Sequence, residues 1–156
     1  FPTGAFWVSD RFIGDQATPL FTVMGPGSHG STFGGTPLAC TAALTVLREV
    51  VERNLPAHAL AMEKRIRSEI TSWEHPAIHE VRGSGLMIGI GLDAAHLTLP
   101  EGIAPSIHLC NLLAERGLLV PPAGTDTNRF LPPLTVTVDE VDEALAIRRA
   151  TLVLRD

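Results

Sequence analysis

Along residues 37–53 the chain is apolar or small on every side of a helical wheel, through "LACTAALTVL", and charges appear only from Arg48. This predicts a helix with Thr36 as N-cap and Pro37 at its first position, where a missing N–H costs nothing. A helix apolar all round calls for cover on all sides. Asn54-Leu55-Pro56 interrupts it, and Ala59, Met62, Ile66, Ile70 and Trp73 then recur at helical spacing, with Glu63, Lys64, Arg65 and Arg67 mostly opposite. That stripe predicts a second helix, lying on a surface and ending near Trp73. From Ile78 to Leu92 the period switches to alternation. Leu86, Ile88, Ile90 and Leu92 share one strand face; Met87, Gly89 and Gly91 share the other, where small residues admit a close neighbour. Ser106 to Arg116 reads as a helix with Ile107, Cys110 and Leu113 inward and Gly117 closing it. "LLVPPAG" and "NRFLPPL" read as short strands, and Asp139 is the expected cap of a last helix carrying Val141, Leu145 and Leu152 on one side. Upstream, Gly4–Asp10 reads as a short buried strand and Leu20–Met24 as a second extended stretch. The alternation of helices and strands after Trp73 predicts a small α/β domain.

Composition narrows the function classes. Over 156 residues, apolar types make up 45%, net charge is -5 and aromatics are 5%. No basic tract exists, which argues against nucleic-acid binding. No apolar run approaches the roughly 20 residues that span a bilayer. Mean hydropathy is +0.21, high for a free-standing domain, which implies apolar surface that meets a partner. Cys40 and Cys110, both in apolar helical patterns, read as buried thiols of a reducing, cytoplasmic compartment. The opening Phe1-Pro2-Thr3-Gly4 has no initiator Met or signal peptide and runs almost at once into a predicted strand; it reads as a fragment of a longer chain.

The densest candidate chemistry is "GPGSHGSTFGG", 25–35, where five of eleven residues are glycine. It matches G-x-G-x-x-G formally. The helix of a dinucleotide fingerprint opens within that motif, however, whereas here it starts only at Pro37. Glycines that let backbone N–H groups converge, the hydroxyls of Ser31 and Thr32 and a following helix N-terminus suit an anion; a plain turn-making connection is the other reading. Ser28 and His29 are sequence neighbours, which is not triad geometry. His75 and His79 are separated by Pro76 and share no helix face, so no metal site is expected. Unlike most arginines here, Arg129 does not lie in a charge cluster: Asp126 is the one charge nearby, and Phe130-Leu131 follow it. A guanidinium on a short strand suits bidentate capture of a carboxylate; the alternative is an edge-strand arginine in water.

"GSHGSTFGGTPLACTAALTVL", "VRGSGLMIGIGL", "ERGLLVPPAG" and "RFLPPLTVTVDEVDEALAI" occur in the order and spacing of one family. Together they resemble the C-terminal half of class III aminotransferases that use pyridoxal 5'-phosphate, in particular those acting on acetylornithine and ornithine. The likeness covers nearly the whole chain. It implies the end of a fold-type I large domain over residues 1–54, then a connecting helix and a small C-terminal α/β domain over 55–156. It also implies a homodimer with shared active sites, in which the residue matching Thr32 binds the cofactor phosphate of the neighbouring subunit. The one matching Ser31 lies near the substrate, and the one matching Arg129 holds the substrate α-carboxylate. Thr36 stands where asparagine is common, and either residue caps a helix.

The family's cofactor-bearing lysine has no counterpart here. Lys64 is the only lysine, on the charged side of a predicted surface helix. The resemblance puts the missing lysine a few residues before Phe1, so this chain alone is expected to be inactive. The implied activity moves an amino group from acetylornithine or ornithine to 2-oxoglutarate, in arginine metabolism. Another class III ω-amino-acid transaminase and a non-catalytic module derived from the fold are the alternatives.

Overall fold

A computed structural model describes residues 2–11, 18–23, 25 and 27–153. The chain divides into two compact units, Phe1–Arg53 and Asn54–Asp156.

In the first unit, α1 is a single turn, Leu20–Val23, and α2 spans Pro37–Glu52. Thr36 caps α2 as expected: its backbone is extended and its hydroxyl accepts from the Ala39 N–H at 3.4 Å. Two expectations fail here. Residues 4–9 form no strand and are mostly exposed, and the stretch expected to be extended from Leu20 is helical through Val23, Met24 lying outside the described residues. A strand needs a ladder to satisfy its backbone, and no strand among the described residues of this unit supplies one. The predicted burial of α2 on all sides is also not met within the unit. Ala39 is its one buried residue, while Leu38, Leu44, Val46 and Leu47 are exposed. Thr3, Gly4 and Ala5 line one groove with Ala42, Ala43, Val46, Leu47 and Val50, so the unit covers only part of the helix. Cys40 is likewise exposed rather than buried.

The second unit begins where Asn54 enters the left-handed region at φ 49, ending one helix and releasing α3, Leu55–Ser72. The strands β1 (Ile78–Ser84), β2 (Met87–Leu92), β3 (Pro122–Ala123) and β4 (Thr127–Phe130) form one antiparallel sheet in the order β1-β2-β4-β3. Helix α4 spans Pro105–Glu115 and α5 spans Val138–Val153. Alternation puts Leu86, Ile88, Ile90 and Phe130 on one face, against Ala59, Met62, Ile66 and Ile70 of α3 and Val141 and Leu145 of α5. Leu92 on that face meets Leu109 and Leu113 of α4 and Leu152 of α5. This is the expected small α/β domain.

Two details differ from the sequence reading. Helix α4 turns Ser106, Leu109 and Leu113 inward, leaving Ile107 exposed and Cys110 half-buried. Ser106 sets this rotation, because its N–H donates to the Thr125 carbonyl at 3.0 Å and its hydroxyl to the Gly124 carbonyl at 2.8 Å. The cap of α5 is Thr137, not Asp139. Thr137 Oγ1 accepts from the Glu140 N–H at 3.2 Å and Glu140 Oε2 accepts from the Thr137 N–H at 2.7 Å, a reciprocal capping box. Asp139 sits in the first turn, where a negative charge suits the helix dipole.

The β1–β2 turn is tied to α3. Arg67 donates to the carbonyl of Gly83 at 3.1 Å and to that of Val81, and Glu63 accepts from Arg67 and from the Gly85 N–H. Gly83 has φ +119, and a Cβ there would lie 2.0 Å from the Met87 carbonyl oxygen, so only glycine fits.

Candidate functional site

The glycine-rich loop is built by short local turns. Gly27 and Gly35 take φ +91 and +75, and the Gly34 N–H reaches the Ser31 carbonyl at 3.3 Å. Ser31 Oγ packs against Gly34, where a Cβ would approach it to 2.5 Å. Ser31 and Thr32 are both exposed and lie side by side in this turn. His29 meets Phe6 edge-to-face, ring centroids 5.2 Å apart. No acidic residue occurs between Asp15 and Glu49. The loop thus presents hydroxyls, backbone N–H groups and the N-terminal end of α2 and carries no acidic residue of its own, a donor set that fits a phosphate.

Arg129 lies on β4, in the second unit, and is exposed while Thr127, Asn128 and Phe130 around it are buried. Its backbone N–H is bound to the Pro121 carbonyl at 2.8 Å. Among the described residues its guanidinium makes no hydrogen bond or ion pair. Across the β2–β4 ladder it faces Gly89, whose missing side chain leaves the sheet low at that point. The core-facing residues alternate with this face, so Arg82, Gly89, Thr127 and Arg129 share the side of the sheet away from α3 and α5.

Sequence reasoning passed over two groupings. Arg82, in "VRGSG", donates to Glu80 Oε2 at 2.6 Å and to Thr127 Oγ1 at 3.1 Å. The alternation that placed Gly89 on the open face could have placed Arg82 there too. The second grouping is internal. Arg148 is fully buried, and its Nη2 reaches Asn128 Oδ1 at 3.4 Å while Nε and Nη1 have no partner among the described residues. Asn128 Nδ2 donates to the Ser106 carbonyl at 2.9 Å and to Cys110 Sγ at 3.0 Å. Burial pulls the Arg148 pKa down to about 10, and burial pushes the Cys110 thiol up, partly offset by Asn128 and Arg148. Arg148 precedes another arginine, and nothing in that pair marks one member as internal.

Lys64 is exposed on α3. His75 Nδ1 accepts from the Ala77 N–H, and His79 lies against Gly91. Among the described residues no group of three or more His, Cys, Asp or Glu side chains could hold a metal ion, and no helix is long and apolar enough to cross a membrane.

The sequence matches the family model described as aminotransferase class-III over residues 8–152. The chain belongs to that family. Against ornithine aminotransferase 2 of Staphylococcus aureus it is 39% identical over 142 residues, covering 91% of this chain and 33% of that protein. Among solved structures, acetylornithine aminotransferase from Elizabethkingia anophelis superposes with a TM-score of 0.73 at 34% identity, covering 86% of this chain and 34% of the other. The ornithine aminotransferase of Toxoplasma gondii, whose active site holds pyridoxal phosphate at partial occupancy, gives 0.70 at 29% identity, covering 86% and 31%. The chain therefore spans about a third of the length of these class-III aminotransferases, rather than the half expected from its motifs.

Proposed function

We propose that this chain is the C-terminal part of a pyridoxal-phosphate-dependent aminotransferase that passes an amino group from acetylornithine or ornithine to 2-oxoglutarate. The observation that carries the reading is the exposed guanidinium of Arg129 on β4, unengaged among the described residues, in a chain of the class-III family. Both amino donor and 2-oxo acid present an α-carboxylate, and a planar fork of N–H donors matches it bidentately. In this reading Ser31 lies near the substrate and Thr32 donates to the cofactor phosphate across the interface of a homodimer with shared active sites. When bound, the cofactor supplies the electron sink that lets an amino group and a proton pass between carbons. The residues of this chain orient the substrate and fix the phosphate; the cofactor-bearing lysine comes from another part of the protein, since Lys64 lies on the surface of α3.

The domain assignment follows: residues 1–54 close the large domain, and 55–156 contribute the connecting helix and the small domain. The same reading places the enzyme in arginine biosynthesis in the cytoplasm. Its test is the full-length protein assayed with ornithine, acetylornithine and a panel of ω-amino acids against 2-oxoglutarate. The expected outcome is the highest kcat/KM with one of the first two donors. No transamination with any donor would overturn the proposal.

A further inference from the structure

Arg82 of β1, Gly89 of β2 and Arg129 of β4 form one cross-strand row, Arg82 opposite Gly89 and Gly89 opposite Arg129. With strands about 4.8 Å apart, the two arginine Cα atoms lie about 10 Å from one another on the same face. Arg82 does not stand up from the sheet. Its side chain lies across β2, so that a Cβ on Gly89 would meet its Cγ at 3.4 Å and its Nε at 3.5 Å. Its Nη2 then reaches Thr127 Oγ1 on β4 at 3.1 Å, and its Nη1 reaches Glu80 Oε2 at 2.6 Å. Thr127 Oγ1 in turn donates to Asp126 Oδ1 at 3.0 Å. Thr127 and Arg129 are two residues apart on one strand and share its open face.

We infer that Arg82 is a positioning residue for Arg129, acting across Gly89 and through Thr127. The inference rests on the reading of Arg129 as the carboxylate-binding group. Two effects carry it. The Arg82 stem occupies the low ground over Gly89, the place into which a long side chain at 129 would otherwise lie down. The hydrogen bonds to Glu80 and Thr127 hold the Arg82 guanidinium in that place, so the ground is not vacated for a second side chain. Arg129 is thereby kept off the sheet with its donors free, and less of its side-chain freedom is lost when a carboxylate arrives. Gly89 leaves room for this arrangement: a Cβ there would meet Thr127 Cγ2 at 3.3 Å and Arg82 Cγ at 3.4 Å, and a longer side chain would compete with Arg82 for the same space.

The test uses steady-state kinetics of the full-length holoenzyme, with KM for the amino donor and for 2-oxoglutarate, in Arg82→Met, Thr127→Val and Arg129→Lys, singly and combined. Arg82→Met is expected to raise both KM values roughly 3- to 30-fold, more than it lowers kcat, and to add little on top of Arg129→Lys. A residue that merely supports the fold would give additive losses and no KM-against-kcat split. Additivity, or an unchanged KM in Arg82→Met where Arg129→Lys raises it, overturns the inference alone. Unchanged KM values in Arg129→Lys overturn the role of Arg129 and this inference with it. Should Arg82→Met fail to fold, Thr127→Val removes the same link with its shape retained, and the same KM rise is expected; its absence overturns the inference.

Discussion

Arg148 reaches Asn128 through a single long hydrogen bond, 3.4 Å from Nη2 to Oδ1, at a point where both residues are wholly buried. Two further guanidinium nitrogens have no partner, and no carboxylate compensates the charge among the described residues. A buried charge without a counter-ion costs more than one polar contact returns. Its pKa of about 10 keeps it protonated at neutral pH, so that cost is present there and is relieved only as pH rises through 10 toward the unfolded value. Arg148→Met, of similar length and without charge, is expected to stabilise the protein by about 1–4 kcal/mol. Asn128→Ala is expected to destabilise it by about 1–3 kcal/mol, since the Arg148 donor and the Ser106 carbonyl lose their partner. Denaturant unfolding midpoints of the two variants check both signs.

Arg129→Lys keeps the charge and loses the fork. In the full-length enzyme it is expected to lower kcat/KM for the amino donor and for 2-oxoglutarate alike, by about 10- to 100-fold each, the loss of roughly 1.5–3 kcal/mol of charge-assisted hydrogen bonding. An effect on one substrate only would remove the α-carboxylate role.

Thr32→Val keeps the β-branched shape and deletes a hydroxyl from an exposed turn, so the fold is expected to be unchanged. If that hydroxyl donates to a phosphate, cofactor dissociation rises by about one to two powers of ten. The effect steepens on dilution if the phosphate belongs to the other subunit. Dialysis at several protein concentrations followed by cofactor absorbance measures it; equal retention in mutant and wild type would leave the loop as a connection.

Glu63 is held below its ordinary carboxylate range first by Arg67 and then by the Gly85 N–H. Arg65 does the same for Asp142, and the Thr137 N–H for Glu140. Each depressed pKa means that the folded state binds fewer protons than the unfolded state. The stability so gained is present above the unfolded value and is lost as pH falls through the folded one. Stability is therefore expected to drop below about pH 4.5, the ordinary value for Glu63. Glu63→Gln is expected to flatten that acid limb while lowering stability at pH 7. Thermal unfolding from pH 3 to 7 in both proteins reads this directly, and parallel curves would show that Glu63 contributes nothing to it.

Where one local rule governs, the chain could be read directly. The helical stripe of α3 recurs as the buried residues Ala59, Met62, Ile66 and Ile70, the alternation of β2 as its core face, and Thr36-Pro37 as the start of α2. In each case spacing or a capping group decides the outcome within a few residues. The membership in the class-III family was legible in the same way, from motif order.

What depended on distant partners was not legible. Residues 4–9 have strand-like composition but no ladder, and the inward face of α4 was set by Ser106 bonding a loop 18 residues away. The sequence presents Arg82, Arg129 and Arg148 as three positive side chains of one kind. Only the sheet order β1-β2-β4-β3 puts the first two on one row across Gly89, and only the packing of α5 buries the third. Charge and length belong to the residue. Whether a guanidinium meets water, a neighbour or nothing is decided by which strands and helices close around it.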